Sequence, residues 1–146
     1  MNPYTAYATA DSSVDEDNKP KLVLKVFQAM LEKLDVIKVA IRSGNYEKKY
    51  NDLRNLTAVV EILDSSLDMS YGDIPRNLSS LYQYVVRRLL EVHSTNNERI
   101  LDECKAILTK INEGLMEAYN MEKRSQIAQG KAGTIPLDSS YANRLI

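Results

Sequence analysis

Few residues in this chain have side chains suited to chemistry. It has one histidine, His93, and one cysteine, Cys104. A carboxylate cluster, Asp11, Asp15, Glu16 and Asp17, lies near the start, and nine tyrosines stand beside one phenylalanine and no tryptophan. A lone exposed histidine in mid-helix is what phosphoryl relay needs. His93, however, directly precedes the break Ser94-Thr95-Asn96, which places it at the C-terminal end of a helix, where the negative end of the dipole favours an imidazolium. A dinuclear carboxylate metal site needs two Glu-x-x-His pairs on facing helices, which one histidine cannot supply. The acidic cluster lacks the glycine and the closing glutamate of a calcium loop and reads as a solvated arm. No Gly-rich phosphate loop and no nucleophile elbow occurs. Cys104 falls on an apolar helical stripe and reads as a small core residue. The chain does not read as an enzyme, and the residues call for no cofactor, nucleotide or metal.

The tyrosines ask for another explanation. Tyr82 and Tyr84 stand two positions apart in Leu81-Tyr82-Gln83-Tyr84. On a helix each residue turns the side chain by about 100°, so the two rings point in nearly opposite directions. If one serves the core, the other faces outward. Tyrosine joins a broad apolar face to a polar tip, which suits it to interfaces. Tyr82 flanks the stripe of its helix and is expected at its margin, whereas Tyr84 points toward the surface of Gln83, Arg87 and Arg88.

The elements that position these residues follow from periodicity. Val23, Phe27, Met30, Leu34, Ile37 and Ile41 recur in steps of four and three, one stripe on one helix. Pro20 lies near its start and Gly44 just past its end, where a left-handed cap is cheap. A second stripe comprises Tyr46, Leu53, Leu56, Val60, Leu63 and Leu67. After Ser70-Tyr71-Gly72-Asp73, with Pro75 in a new first turn, a third comprises Leu78, Leu81, Val85, Leu89 and Val92. Thr95-Asn96-Asn97-Glu98 has the spacing of a capping box. The fourth stripe is Ile100, Cys104, Ile107, Ile111, Leu115 and Ala118.

Four helices of about twenty residues joined by short connections predict an all-α fold, an antiparallel up-down-up-down four-helix bundle. The organisation is an N-terminal arm over residues 1–18, the bundle over 19–120, and a helix extension with a mobile tail over 121–146. A formal charge of −1 lacks the basic footprint of a nucleic-acid binder. The first residues have neither a basic leader nor an apolar h-region, no apolar run suits a membrane span, and a single cysteine suits a reducing compartment. Together these predict a cytosolic protein with no membrane insertion.

Two stretches together carry a resemblance. Asn2-Pro3-Tyr4-Thr5-Ala6-Tyr7 opens the chain, and ILDSSLDMSYGDIPRNLSSLYQYVVRRLLEV spans residues 62–92. With Asn77-Leu78, Leu81-Tyr82, Tyr84 and Arg87-Arg88-Leu89, and with Gly114-Leu115-Met116-Glu117-Ala118-Tyr119 at the end of the fourth stripe, the chain resembles the flagellin-specific export chaperones, the FliS family. It departs from that pattern at Val26-Phe27-Gln28-Ala29 in the first helix and in having Tyr71-Gly72-Asp73 where two glycines are common.

The resemblance implies a chaperone that binds the disordered C-terminal segment of flagellin, prevents premature polymerisation, and presents it to a membrane protein of the flagellar type III export gate. Other flagellar regulators are further possible partners. The implied flagellin-binding residues are Tyr4, Tyr7, Leu67, Leu78, Leu81, Tyr82, Tyr84, Val85 and Arg88. In that reading Tyr82 lines the inner edge of a groove, Tyr84 belongs to the outer contact surface, and Tyr4 and Tyr7 lie over a groove or join the client surface. A helical-bundle adaptor with another client is the alternative, with phosphotransfer through His93 a distant third. In the tail, Ile135, Leu137, Tyr141, Leu145 and Ile146 either fold back as a mimic of the client or form a plain extension.

Overall fold

The computed structural model describes residues 19–128. Within them the chain forms the four-helix bundle that the stripes predict: α1 over Lys19–Arg42, α2 over Tyr46–Ser65, α3 over Asp73–Thr95 and α4 over Glu98–Ala128. Each helix packs on its neighbour in sequence, and α4 closes the ring against α1.

The connections are tight for identifiable reasons. Gly44 adopts φ 73°, the left-handed conformation expected just past α1, and the Asn45 side chain then accepts from the Lys48 N–H at 3.2 Å to cap α2. Between α2 and α3, Asp68 accepts from the Ser70 N–H and hydroxyl at 3.0 and 2.6 Å and holds a single 3₁₀ turn, Met69–Tyr71. Gly72 leaves that turn at φ 91°, where a side chain would be strained. The α3–α4 link differs from the capping box that the spacing predicts. Thr95 is still in the last turn of α3, and its hydroxyl donates to the Glu91 carbonyl at 2.8 Å. The cap of α4 is instead Asn97, whose side chain accepts from the Arg99 N–H at 3.0 Å.

The core is a continuous apolar column. α1 contributes Phe27, Met30, Leu34 and Ile37, and α2 contributes Leu53, Leu56, Val60 and Leu63, as their stripes predict. Two helices rotate slightly from the expected face. In α3 the buried series is Leu78, Tyr82, Val85, Leu89 and Val92, with Leu81 at its edge. In α4 it includes Leu101 and Leu108, with Ile107 only partly buried. Tyr46, expected at the head of the α2 stripe, is exposed, and Lys49 and Asp52 are buried in that turn instead.

Three ion pairs state the register of α1 against α4. Lys38 meets Asp102 at 2.6 Å, Arg42 meets Glu98 at 2.7 Å and Lys105 meets Asp35 at 2.8 Å. The residue numbers in all three pairs add to 140, as two antiparallel helices in one fixed register require. Such exposed pairs each contribute less than about 1 kcal/mol, so they report alignment more than they supply stability. Continued along α4, the register sets Lys19 opposite Met121. The remaining residues to Ala128 therefore run about 10 Å past the first residue of α1.

Candidate functional site

The two tyrosines of α3 divide as their angular separation demands, but not where the spacing places Tyr82. That ring is fully buried and packs against Phe27 of α1, with centroids 6.5 Å apart and planes tilted by 40°. It forms part of the core and no groove edge, because a step of four from Leu78 to Tyr82 followed by three to Val85 tracks the buried face better than a step of three to Leu81. Leu67, Leu78 and Val85 are buried with it. Among the residues that the resemblance nominates, Tyr84 reaches the surface, and Leu81 and Arg88 reach it in part. Tyr4 and Tyr7 lie outside the described residues, as do the tail residues Ile135 to Ile146.

Tyr84 does face outward, at 36% exposure, yet it is not loose. The Glu103 carboxylate of α4 acts on its phenol and pushes the Tyr84 pKa up, and the phenol together with Arg88 holds Glu103 below its ordinary value. The Arg88 guanidinium grips the same carboxylate with two N–H groups at 3.2 and 3.3 Å and reaches Glu91 at 2.6 Å. Arg87 lies 5.8 Å from the Tyr84 ring centroid. Tyr84, Arg88, Glu91 and Glu103 thus form a polar strap across the α3–α4 seam. Its surface is aromatic and charged.

The concave surface lies on the other side of α3. Tyr50, Arg54, Thr57, Ala58 and Glu61 recur along one face of α2, and Leu90 and His93 of α3 form the opposite wall of a groove of about 290 Å³. Tyr50 is 52% and Leu90 55% exposed, large apolar surfaces left open where the floor residues Thr57 and Ala58 are small. One end is closed by an edge-on contact between Tyr50 and His93, with ring centroids 5.3 Å apart. Burial and the neighbouring Lys49 ammonium hold the His93 pKa below its ordinary value. The cation at the C-terminus of α3 is therefore Lys49 and not His93: its Nζ donates to the His93 carbonyl at 3.1 Å and to the Asn96 side chain at 2.6 Å. A second hollow, of about 360 Å³, follows the outer face of α4 from Glu113 to Arg124 past Met116 and Met121.

Sequence reasoning missed the α2–α3 groove. Two signals were present: Tyr50 and Leu90 are large apolar side chains that fall off the stripes of their own helices. Among the described residues no cluster of histidine, cysteine or carboxylates could hold a metal, and no helix is long and apolar enough to cross a membrane. Cys104 is fully buried, and desolvation pushes its thiol up to about 12, far from the range of a reactive thiolate.

Comparison with known proteins points to one family. A family model described as "Flagellar protein FliS" matches residues 1–129. The flagellar secretion chaperone FliS of Bacillus subtilis is 23% identical over 130 residues, covering 89% of this chain and 96% of that protein. The protein of the same name from Escherichia coli is 29% identical over 117 residues, covering 77% and 86%. The flagellar secretion chaperone FliSB of Pseudomonas aeruginosa is 27% identical over 105 residues, covering 71% and 83%.

Proposed function

The chain belongs to the FliS family, a family of flagellar secretion chaperones and not of enzymes, and from that membership we propose that it binds the disordered C-terminal segment of flagellin in the cytosol. Holding that segment prevents premature polymerisation and delivers the subunit to a membrane protein of the flagellar type III export gate. Other flagellar regulators compete for, or add to, the same surface.

The observation that carries this reading is the open α2–α3 groove, with Tyr50 and Leu90 half exposed on its two walls. A disordered segment that becomes helical can seat apolar anchors in such a groove. Ordering the segment costs free energy, so one groove is insufficient and the client must wrap a larger surface. The Tyr84–Arg88 strap, with Leu81 beside it, supplies a second contact on the adjoining face. Leu67, Leu78, Tyr82 and Val85 serve client binding indirectly, by holding α3 in place from the core. The work needs no nucleotide and no metal.

The test is a calorimetric titration of the full-length protein with the C-terminal segment of flagellin from the same source. Saturable one-to-one binding with a negative heat-capacity change is the expected result, since apolar burial coupled to folding gives that sign. A flat trace overturns the reading.

A further inference from the structure

The α2 wall of the groove carries two opposite charges in one line. Arg54 and Glu61 are seven residues apart, two helical turns or about 10 Å, and both border the groove. The ion pairs of α2 use neither: Asp52 takes both Lys33 and Lys48. Among the described residues Arg54 and Glu61 enter no ion pair. Between them lie the small side chains of Thr57 and Ala58, and Leu90 lines the same groove from α3. A positive point, an apolar seat and a negative point therefore follow one another along the groove.

We infer that this groove takes a single amphipathic helix bearing a carboxylate and a cationic side chain two turns apart on either side of an apolar anchor, and that Arg54 and Glu61 fix its register and direction by reading that charge order. The inference rests on the groove being a client seat and adds which helix fits it. The carboxylate lies by Arg54, toward the end closed by Tyr50 and His93, and the cation lies by Glu61. The anchor enters between Ala58 and Leu90. Small floor residues let a helix approach closely, while paired rim charges select orientation more than they add affinity. A helix of reversed charge order must either turn end for end or set like charges together.

Two probes separate this inference from the flagellin reading. The first is a short helical peptide of zero net charge, with a leucine stripe and one Glu and one Lys two turns apart, titrated into the full-length protein. Arg54→Glu and Glu61→Arg each leave two like charges on the wall, so no orientation satisfies both. Each single variant should bind the peptide about tenfold more weakly. The double exchange should restore wild-type affinity, because a free helix can turn round. A peptide that fails to bind wild-type protein, single variants that bind it unchanged, or a double variant with both losses added would each overturn the inference.

The second probe is the flagellin C-terminal segment, whose direction is constrained by its other contacts. The double exchange should weaken it and not restore it. Leu90→Asp, at an exposed position, reports whether flagellin uses the groove at all. Flagellin binding insensitive to Leu90→Asp removes the groove as its seat, whereas sensitivity to Leu90→Asp without sensitivity to the double exchange removes the charge code and leaves the client reading intact.

Discussion

The Lys49 ammonium of α2 lies 2.6 Å from the side-chain oxygen of Asn96, which itself caps α3 in the left-handed conformation at φ 52°. Helix α3 thus ends on a lysine from its neighbour. Lys49 is 6% exposed, satisfies the His93 carbonyl at 3.1 Å and stands 5.5 Å from the Tyr46 ring centroid. An ammonium is tolerated there because its donors meet the carbonyl end of a helix, where a cation is favoured. The contact also holds the closed end of the α2–α3 groove, since Tyr50 and His93 flank it.

Lys49→Met keeps the apolar stem and removes the donors. Two acceptors at the end of α3 are then left without this partner, which should destabilise the protein by about 1–3 kcal/mol in urea titration. Combined with Asn96→Gly in a double-mutant cycle, the losses should be less than additive, because both substitutions break one contact. Strict additivity would mean that the two residues act independently.

The two tyrosines of α3 should respond in opposite ways to truncation. Tyr82→Ala empties a fully buried site beside Phe27 and should cost about 3–5 kcal/mol, so any loss of client binding would follow loss of fold. Tyr84→Ala removes a half-exposed ring and its tie to Glu103, should leave the thermal midpoint nearly unchanged, and should weaken flagellin binding. Equal loss of stability and binding in Tyr84→Ala would place its role in the fold.

The pH dependence of stability follows from His93. Its folded-state pKa is depressed, first by burial and then by Lys49, whereas the unfolded chain titrates at an ordinary value of about 6.5. Between those two values the unfolded state binds more protons, so stability is full above about 6.5 and falls as the pH drops through the folded value. His93→Gln should flatten denaturation midpoints across that window. The further decline at lower pH should remain, because Asp52 behaves likewise in the carboxylate range: burial raises its pKa, but hydrogen bonds from Lys48 and Lys33 outweigh this and hold it low.

Cys104 offers a probe of opening. Fully buried, with its thiol pushed up to about 12 by desolvation, it should resist a maleimide in the native protein and react once denaturant unfolds the bundle. Rapid labelling of the native protein would mean that α4 separates readily from its neighbours.

Much of this molecule is a property of single helices, and that part was legible in the residues. The stripes of Phe27, Met30, Leu34 and Ile37 and of Leu53, Leu56, Val60 and Leu63 announce their buried faces, because apolar periodicity is set within one helix. Gly44 announces the end of α1 for an equally local reason, since a left-handed cap favours glycine. The order and short spacing of the helices then imply the antiparallel bundle, and the arrangement of Leu81, Tyr82, Tyr84 and Arg87-Arg88 pointed to the family.

Tertiary structure decided what depends on two helices at once. Leu81 and Tyr82 both suit an apolar stripe, and the contact with Phe27 across the core selects Tyr82. Thr95 and Asn97 both suit a cap, and the outcome turns on where α3 stops. Lys49 is an ordinary lysine until the end of α3 is set beside it. The groove is the same kind of fact: Tyr50, Arg54 and Glu61 belong to α2, Leu90 and His93 to α3, and they become a surface only when helix packing fixes the register between them.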